Sequence, residues 1–248
     1  MPLSRRARVL LAVAVAGIIA TATILTAPMH SWGTQFHLPT PAARTPGSDA
    51  ALLEKLAIIF PINENTDMQF YRNTWMRDYL YPVCDWPGDE CKIVCNEQST
   101  YKTLDKKTFC FSRAMKEYRD KEFFIKIDDD ALVDKGYILG LVRNYTGWDK
   151  PVYISDHERT SDGRNPSVDG AMYGNGKFYM FNRKLVDCVD VDLKYNGRRN
   201  EDAIFGAMVR SGCGETNVEY LAENDEYIWH KTYKNKNKYI DLAYIKNH

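Results

Sequence analysis

Three consecutive aspartates, Asp128 to Asp130, directly follow a short apolar run at residues 123–127. Short runs rich in Ile and Phe predict a buried strand, and ligands of open α/β sheets bind outside the carboxyl ends of the strands. Because side chains alternate along an extended strand, Asp128 and Asp130 are expected on one face and Asp129 on the other. Carboxylate oxygens in this arrangement suit Mg²⁺ or Mn²⁺. The triplet therefore predicts either an Asp-x-Asp metal site or a solvated acidic turn that caps the next helix.

A second acidic pair, Glu201 and Asp202, begins a stretch at residues 201–210 whose apolar spacing predicts a helix. Carboxylates in a first turn interact favourably with the helix dipole. The pair therefore has a structural explanation of its own, and taken alone it indicates a helix start.

The overall composition limits the class of protein. The chain has 248 residues, of which 44% are hydrophobic and 27% are charged, as is typical of one globular domain with appendages. Lys plus Arg and Asp plus Glu both number 33, so the formal net charge is zero. Because no overall basic field would attract a phosphate backbone, the composition argues against a nucleic-acid partner.

The amino terminus has the pattern of a membrane-targeting segment. Three arginines among the first eight residues precede an uncharged stretch at 9–27, close to the ~20 residues that a membrane-spanning helix requires. Positive residues stay on the cytoplasmic side, so we expect a cytoplasmic tail at 1–8 and a signal-anchor helix at 9–28. The small residues at 20–22 leave a cleaved signal peptide open as an alternative. In both cases the rest of the chain faces the secretory lumen.

The remaining chain is expected to be a stem followed by one luminal domain. Residues 29–50 are polar and broken by proline, which predicts a flexible stem, and residues 51–248 form the folded part. The chain has six cysteines, and an even number in a luminal protein predicts disulfides, for which 15 pairings are possible. A disulfide between Cys188 and Cys213 would hold the predicted helix that lies between them. Asn144 begins a glycosylation sequon.

Apolar patterns along the luminal part alternate between strand type and helix type, which predicts an α/β sandwich. Gly174 and Gly176 precede an aromatic strand, where glycine either lets the backbone approach a sugar or acceptor closely or forms a tight turn before the strand. Strands are expected at 56–60, 91–95, 123–127, 151–155, 177–181 and 217–221, and helices at 67–81, 109–118, 135–145 and 201–210.

Four segments follow one another in an order that carries a family resemblance. They are Arg72-Asn-Thr-Trp, Lys126-Ile-Asp-Asp-Asp, the glycine-containing segment from Gly174 to Arg183, and Glu201-Asp-Ala. Together, over about residues 53–235, they resemble the β-1,3-galactosyltransferase and Fringe superfamily, glycosyltransferase family 31 and its relatives. The resemblance implies a GT-A fold, which is a Rossmann-like mixed sheet flanked by helices, in a single luminal domain.

The resemblance also implies roles for individual residues. Asp202 would be the catalytic base and Glu201 would support it at the helix start. A Mn²⁺ or Mg²⁺ cofactor would be held by Asp128, Asp130 and a late histidine, His230. Binding of the nucleotide sugar would fall to Arg72, Asp128, Asp129, Gly174 and Gly176.

The implied function is that of a type II enzyme of the Golgi membrane. It would move galactose or N-acetylglucosamine from a UDP-sugar to a glycan or glycoprotein acceptor, with inversion and with a divalent cation. The alternative that stays open is a luminal, lectin-like module that has the same fold and no catalytic activity. Fold-level analogy does not decide between the two.

Overall fold

The structure is a computed structural model that describes residues 48–100, 103–161, 165–195 and 200–230. The helices are α1 (Asp49–Glu54), α2 (Met68–Arg72), α3 (Leu104–Glu117), α4 (Lys135–Tyr145), α5 (Arg183–Cys188) and α6 (Glu201–Cys213). The strands are β1 (Leu56–Pro61), β2 (Leu80–Cys84), β3 (Ile93–Val94), β4 (Phe123–Ile127), β5 (Ala131–Val133), β6 (Val152–Arg159), β7 (Met172–Asn182), β8 (Glu219–Ala222) and β9 (Ile228–His230). Short 3-10 helices cover Trp75–Tyr79, Glu215–Asn217 and Asp225–Tyr227.

Within these ranges the main sheet has seven strands in the order β3-β2-β1-β4-β7-β6-β8. Six of them run in one direction, and β7 runs antiparallel to its neighbours β4 and β6. A separate antiparallel pair joins β5 to β9. The parallel strands β1 to β4 therefore present their carboxyl ends at one edge of the sheet, as the sequence pattern predicted for the acidic triplet.

Helices cover both faces of the sheet because alternate residues of its central strands pack into two different cores. Leu56, Ile58 and Phe60 of β1 lie in one buried cluster together with residues of α1, α2 and α4. Ala57 and Ile59 lie in the other cluster together with residues of α3, α5 and α6. A strand buried on both faces reads as a continuous apolar run, which is why β1 and β4 were recognisable from sequence. The predicted α/β class, a Rossmann-like mixed sheet flanked by helices, is confirmed and is consistent with a GT-A-like fold.

The predicted helix at 67–81 is wrong over most of its length. Only Met68–Arg72 is α-helical, and the chain then passes through a 3-10 helix into β2. Pro82 lies inside β2, where it has no N–H to continue a helix, and residues 80–83 pair in parallel with β1. The apolar spacing of this segment suits a helix as well as a buried strand, and the pairing with β1 decides between them.

Two further local predictions require correction, the extended course of the aspartate triplet and the turn at Gly174 and Gly176. The strand before the triplet ends at Ile127, and the N–H of Ala131 donates to the carbonyl of Asp128 at 3.0 Å, so the triplet forms a turn and not an extended segment. Gly174 and Gly176 lie inside β7 and not in a turn that precedes it.

All six cysteines are paired, as Cys84–Cys91, Cys95–Cys110 and Cys188–Cys213. The last pair is the one that the sequence suggested, and it ties the end of α5 to the end of α6. Such cross-links stabilise a fold chiefly by limiting the freedom of the unfolded chain.

In the described ranges no helix has the length and hydropathy of a membrane span. The predicted anchor at 9–28 and the tail at 1–8 lie outside these ranges, as does all of the predicted stem except its last three residues, 48–50.

Candidate active site

A cleft of about 980 Å³ lies at the carboxyl ends of β1 to β4. Its walls come from the segments that follow these four strands, from α3 and from the first residue of α6. Asp128, Asp129 and Asp130 line it, and so does Glu201. The fold thus brings together two acidic segments that are far apart in the sequence.

The three aspartates of the turn have different surroundings. Asp129 accepts hydrogen bonds from Asn63 Nδ2 at 2.8 Å and from Thr66 Oγ1 at 2.6 Å, so its carboxylate fastens the loop that follows β1. The Asp128 carboxylate lies 2.5 Å from the ammonium of Lys126, and 39% of its side chain is exposed. Asp129 therefore has a structural role in the loop after β1, whereas the side chain of Asp128 remains open to the cleft.

Tyr71 supports the same turn from below. Its hydroxyl donates to the carbonyl of Ala131 at 3.1 Å, and its side chain is fully buried. Burial, together with the nearby charges of the aspartate triplet, raises the pKa of Tyr71 far above its ordinary value. The phenol therefore stays protonated and keeps its hydrogen bond at any physiological pH.

His230 lies at the end of β9, which pairs with β5, the strand that follows the aspartate triplet. In the β5–β9 pair His230 lies opposite Ala131, the residue that follows Asp130. The structure describes the backbone of His230 and not its side chain, so its role as a ligand stays a prediction.

The donor chemistry of the turn fits a divalent cation. Asp128 and Asp130 offer carboxylate oxygens on one turn at the cleft wall, which are the ligands that Mg²⁺ and Mn²⁺ prefer. Among the described side chains, no group of three or more His, Cys, Asp or Glu residues is arranged to hold a metal ion. A cation at this turn would accordingly need further ligands, from a bound substrate or from residues beyond the described set.

Asp202 lies at the start of α6, where the side chain of Asn200 caps the helix by accepting from the Asp202 N–H at 2.9 Å. Only 8% of the Asp202 side chain is exposed, and its Oδ1 has no hydrogen-bond partner among the described residues. Burial raises the pKa of Asp202 to about 7, Lys126 opposes this, and the charges of Glu201 and Asp128 add to it. A carboxylate with such a pKa can take up and release a proton near neutral pH.

Lys126 lies between the two acidic segments and is itself buried. Its ammonium is 2.5 Å from Asp128 Oδ1, 2.9 Å from the carbonyl of Gly176 and 3.5 Å from Asp202 Oδ1. Burial lowers the pKa of Lys126, but the charges of Asp128 and Asp202 outweigh burial, so the net shift is upward. Lys126 is therefore a permanent cation.

The two glycines of β7 allow close packing of other protein groups. A Cβ atom at Gly176 would lie 2.5 Å from Asp202 Oδ2, and one at Gly174 would lie 2.4 Å from Ser155 Oγ. Neither glycine is among the described residues that line the cleft. Gly176 thus makes room for Asp202, and contact of either glycine with a nucleotide sugar stays a prediction.

Arg72 and Trp75, from the segment Arg72-Asn-Thr-Trp75 that contributes to the family resemblance, lie away from the cleft. Arg72 is exposed on α2 and pairs with Glu90 at 3.0 Å. The indole of Trp75 donates to the carbonyl of Val133 at 2.8 Å and so braces β5. The structure does not bring Arg72 to the acidic segments.

A buried charged pair in the cleft wall was not anticipated from sequence. Lys107 Nζ is 3.1 Å from Asp85 Oδ2 and 2.9 Å from the carbonyl of Ile62. Ser99 donates to the same Oδ2 through its N–H and its hydroxyl, while Asp85 Oδ1 is buried without a hydrogen-bond partner among the described residues. Asp85 directly follows β2 as Asp128 follows β4. An acidic residue directly after a strand was therefore present in the sequence as a signal, but the incorrect helix prediction hid the strand.

Comparisons with known proteins give limited information. No protein-family model matches the chain, and no curated protein matches it. Among solved structures, the chain is similar to that of a glycosyltransferase involved in the glycosylation of the major capsid of PBCV-1. That similarity has a TM-score of 0.36 at 9% sequence identity and covers 78% of this chain and 97% of the other. The activity named there is a property of that protein.

Proposed function

We propose that this protein is a glycosyltransferase that uses a nucleotide-sugar donor and a divalent cation. The observation that supports it most is the meeting of the Asp128–Asp130 turn with Glu201 and Asp202 at the carboxyl edge of a mixed sheet. This edge is where α/β sheets bind nucleotides, and the two acidic segments supply the two kinds of carboxylate that such a reaction needs.

The cleft has the dimensions and the chemistry for a nucleotide sugar, which we propose to be UDP-galactose or UDP-N-acetylglucosamine. Its 980 Å³ is at the upper end of the ~300–1,000 Å³ usual for small-molecule sites. Asp85 Oδ1, which lacks a partner among the described residues, would accept a hydrogen bond from a ring N–H of the base. Trp86 also lines the cleft and offers an aromatic face for stacking.

The turn would hold Mn²⁺ or Mg²⁺ through Asp128 and Asp130, with His230 as a proposed further ligand. When bound, such a cation stabilises the negative charge that grows on a departing diphosphate. The chain itself keeps the turn in place through the hydrogen bond from Ala131 to Asp128 and through the contacts of Asp129 with the loop after β1.

Asp202 would act as the general base. It would take the proton of an acceptor hydroxyl while that oxygen bonds to the anomeric carbon and the nucleoside diphosphate leaves with the bonding electrons. One such displacement inverts the anomeric configuration. Because 8% of its side chain is exposed, water has little access to Asp202. Glu201, at the cleft wall, would support the base.

The cellular setting is part of the proposal. The acceptor would be a glycan or a glycoprotein in the Golgi lumen, and residues 9–28 would anchor the chain in the membrane. Asn144 would be glycosylated, and its backbone lies in the last turn of α4.

The test is an assay of the full chain with Mn²⁺ and a panel of UDP-sugars, which measures donor hydrolysis and transfer to glycan acceptors. We expect turnover of one donor, its loss in excess chelator and its recovery with added Mn²⁺. A folded protein that binds a glycan but turns over no donor would contradict the proposal and would favour a lectin-like module.

A further inference from the structure

One buried ammonium, that of Lys126, serves both acidic segments. Its nearest carboxylate belongs to Asp128 at 2.5 Å, and Asp202 lies 3.5 Å away, within the distance of an ion pair. The carbonyl of Gly176 accepts a hydrogen bond from the same ammonium at 2.9 Å. The position of this charge therefore affects the donor side and the base side together.

The two carboxylates compete unequally for Lys126. Asp128 is the nearer partner, and with 39% of its side chain exposed it is also the one that a cation in the cleft can reach. Asp202 is almost completely covered, and its Oδ1 makes no hydrogen bond to any described residue. A divalent cation that binds Asp128 would neutralise that carboxylate and repel the ammonium of Lys126. Asp202 would then be the carboxylate partner that remains for Lys126.

We propose that Lys126 is a positioning residue that links donor binding to the base: it holds Asp128 until a divalent cation binds that carboxylate, and it then pairs with Asp202. The inference rests on the proposed function and deepens it, because it makes the correct placement of Asp202 depend on an occupied donor site. Lys126 is one of the residues of the cleft wall, and in this proposal it acts through the two carboxylates.

The exchange needs only a small movement. The Lys side chain has four rotatable bonds and a compact ammonium with three donor hydrogens, so it can change partners while it keeps the carbonyl of Gly176. The Gly176 position has no side chain that would block this, and Asp202 Oδ2 occupies the space where one would stand.

The first test is the binding of Mn²⁺ alone to the full chain, measured by calorimetry. If Lys126 competes with the cation for Asp128, Lys126→Met should bind Mn²⁺ about tenfold more tightly than the wild type, because a nearby positive charge is removed. If Lys126 only supports the turn, the variant should bind Mn²⁺ equally or more weakly, and this result would overturn the proposal. The absence of Mn²⁺ binding to the wild type would overturn it too.

The matched control is Lys55→Met, which removes one positive charge at the opposite edge of the sheet. Lys55 precedes β1 and pairs with Glu122 at 2.8 Å on the surface. Its Mn²⁺ affinity should equal that of the wild type, and a tightening as large as that of Lys126→Met would show a general charge effect and contradict the proposal.

The second test is transfer at saturating donor and Mn²⁺. Lys126→Met should lose about 10²-fold in kcat with an unchanged or lower KM for the donor, because the base loses its partner while the donor site keeps its cation. A rise in KM with unchanged kcat would contradict a link to the base. If the wild type turns over no nucleotide sugar, the proposed function fails, whereas the Mn²⁺ titration still decides whether Lys126 competes for Asp128.

Loss of a buried cation can also prevent folding, because it leaves carboxylates uncompensated. The double variant Lys126→Met, Asp202→Asn removes one positive and one negative charge and so restores the balance. It should fold and retain the tighter binding of Mn²⁺, and its transfer rate should be no lower than that of Asp202→Asn alone, since both changes affect one step. A further loss in the double variant would show that the two residues act independently.

Discussion

Two aspartates on either side of one lysine differ in almost every respect except residue type. Asp128 lies on a turn at the cleft wall with 39% of its side chain exposed, and Asp202 lies in the first turn of a helix with 8% exposed. Burial raises the pKa of Asp202 to about 7. The comparison teaches that the path of the backbone, more than the residue type, leaves one carboxylate open to the cleft and buries the other, as the proposed ligand and the proposed proton acceptor each require.

A layer of aromatic rings packs where α6 meets the sheet, close to the buried Asp202. Tyr179 stacks on Phe205 with ring centroids 5.2 Å apart, and Tyr153 packs edge-on against Phe205 at 5.8 Å. These rings are fully buried. The turn after β4 has no such cover, since it lies at the wall of the cleft.

Asp202→Asn should have the largest effect, because it removes the proposed proton acceptor with little change in shape. We expect transfer to fall by about 10²–10⁴-fold. The measurement is steady-state transfer to a working acceptor. Glu201→Gln is the matched control at the neighbouring position on the cleft wall, and it should cost less than about tenfold. Equal losses in the two variants would contradict the assignment of Asp202 as the base and of Glu201 as a residue that only supports it.

The pH dependence of transfer follows from the same carboxylate. Its pKa is raised to about 7, so the ionised, active form should decrease about tenfold per pH unit below that value. Lys126 opposes this shift, and Glu201 and Asp128 increase it. The rate should therefore rise with pH to a plateau above about 7, as measured by kcat/KM from pH 5 to 9. A flat profile in the wild type would argue against Asp202 as the base.

Gly176→Ala should disturb the base without a change in charge. The new methyl group would stand 2.5 Å from Asp202 Oδ2, and such overpacking typically costs about 1–3 kcal/mol in the free energy of unfolding. Urea unfolding and transfer should both show the loss. Gly140→Ala in α4 has nothing within 4 Å and should stabilise the protein by about 0.5–1 kcal/mol with unchanged transfer. Matching effects of the two changes would show that the contact at Gly176 is unimportant.

Asp85→Asn should have the smallest effect on transfer, and because it leaves the buried Lys107 without its carboxylate it should also lower the free energy of unfolding. The change removes the negative charge beside Lys107 and weakens an acceptor in the cleft wall. We expect about a tenfold loss of nucleotide affinity with little change in kcat. The readout is the KM for the donor beside kcat, and a loss confined to kcat would remove Asp85 from the donor site.

The sequence predicted those parts of the site that depend on local patterns. The strand before the triplet and the helix that begins at Glu201 were found because an apolar run and an amphipathic spacing define them locally. The parallel strand β2 was missed because its apolar spacing also suits a helix, and with it the position of Asp85 was lost. Pairing across the sheet decides such cases, and one sequence does not contain that information.

The role of Lys126 was beyond sequence reasoning for a related reason. Its two carboxylates come from the turn after β4 and from α6, and Gly176 comes from β7, so the cluster exists only after the sheet has formed. The sequence placed Asp202 at a helix start, but the burial that raises its pKa exists only once α6 packs against the sheet, where its carboxylate lies beside Gly176 of β7.

The most direct test of the account is the calorimetric binding of UDP, with Mn²⁺ present, to the wild type, Asp130→Ala and Asp202→Asn. If the turn holds the donor and the helix start supplies the base, the wild type and Asp202→Asn should bind UDP with similar affinity, because Asp202→Asn leaves the turn intact. Asp130→Ala should bind at least about tenfold more weakly, because the diphosphate loses its link to the turn. Undiminished UDP binding by Asp130→Ala, or no UDP binding by the wild type, would contradict the account.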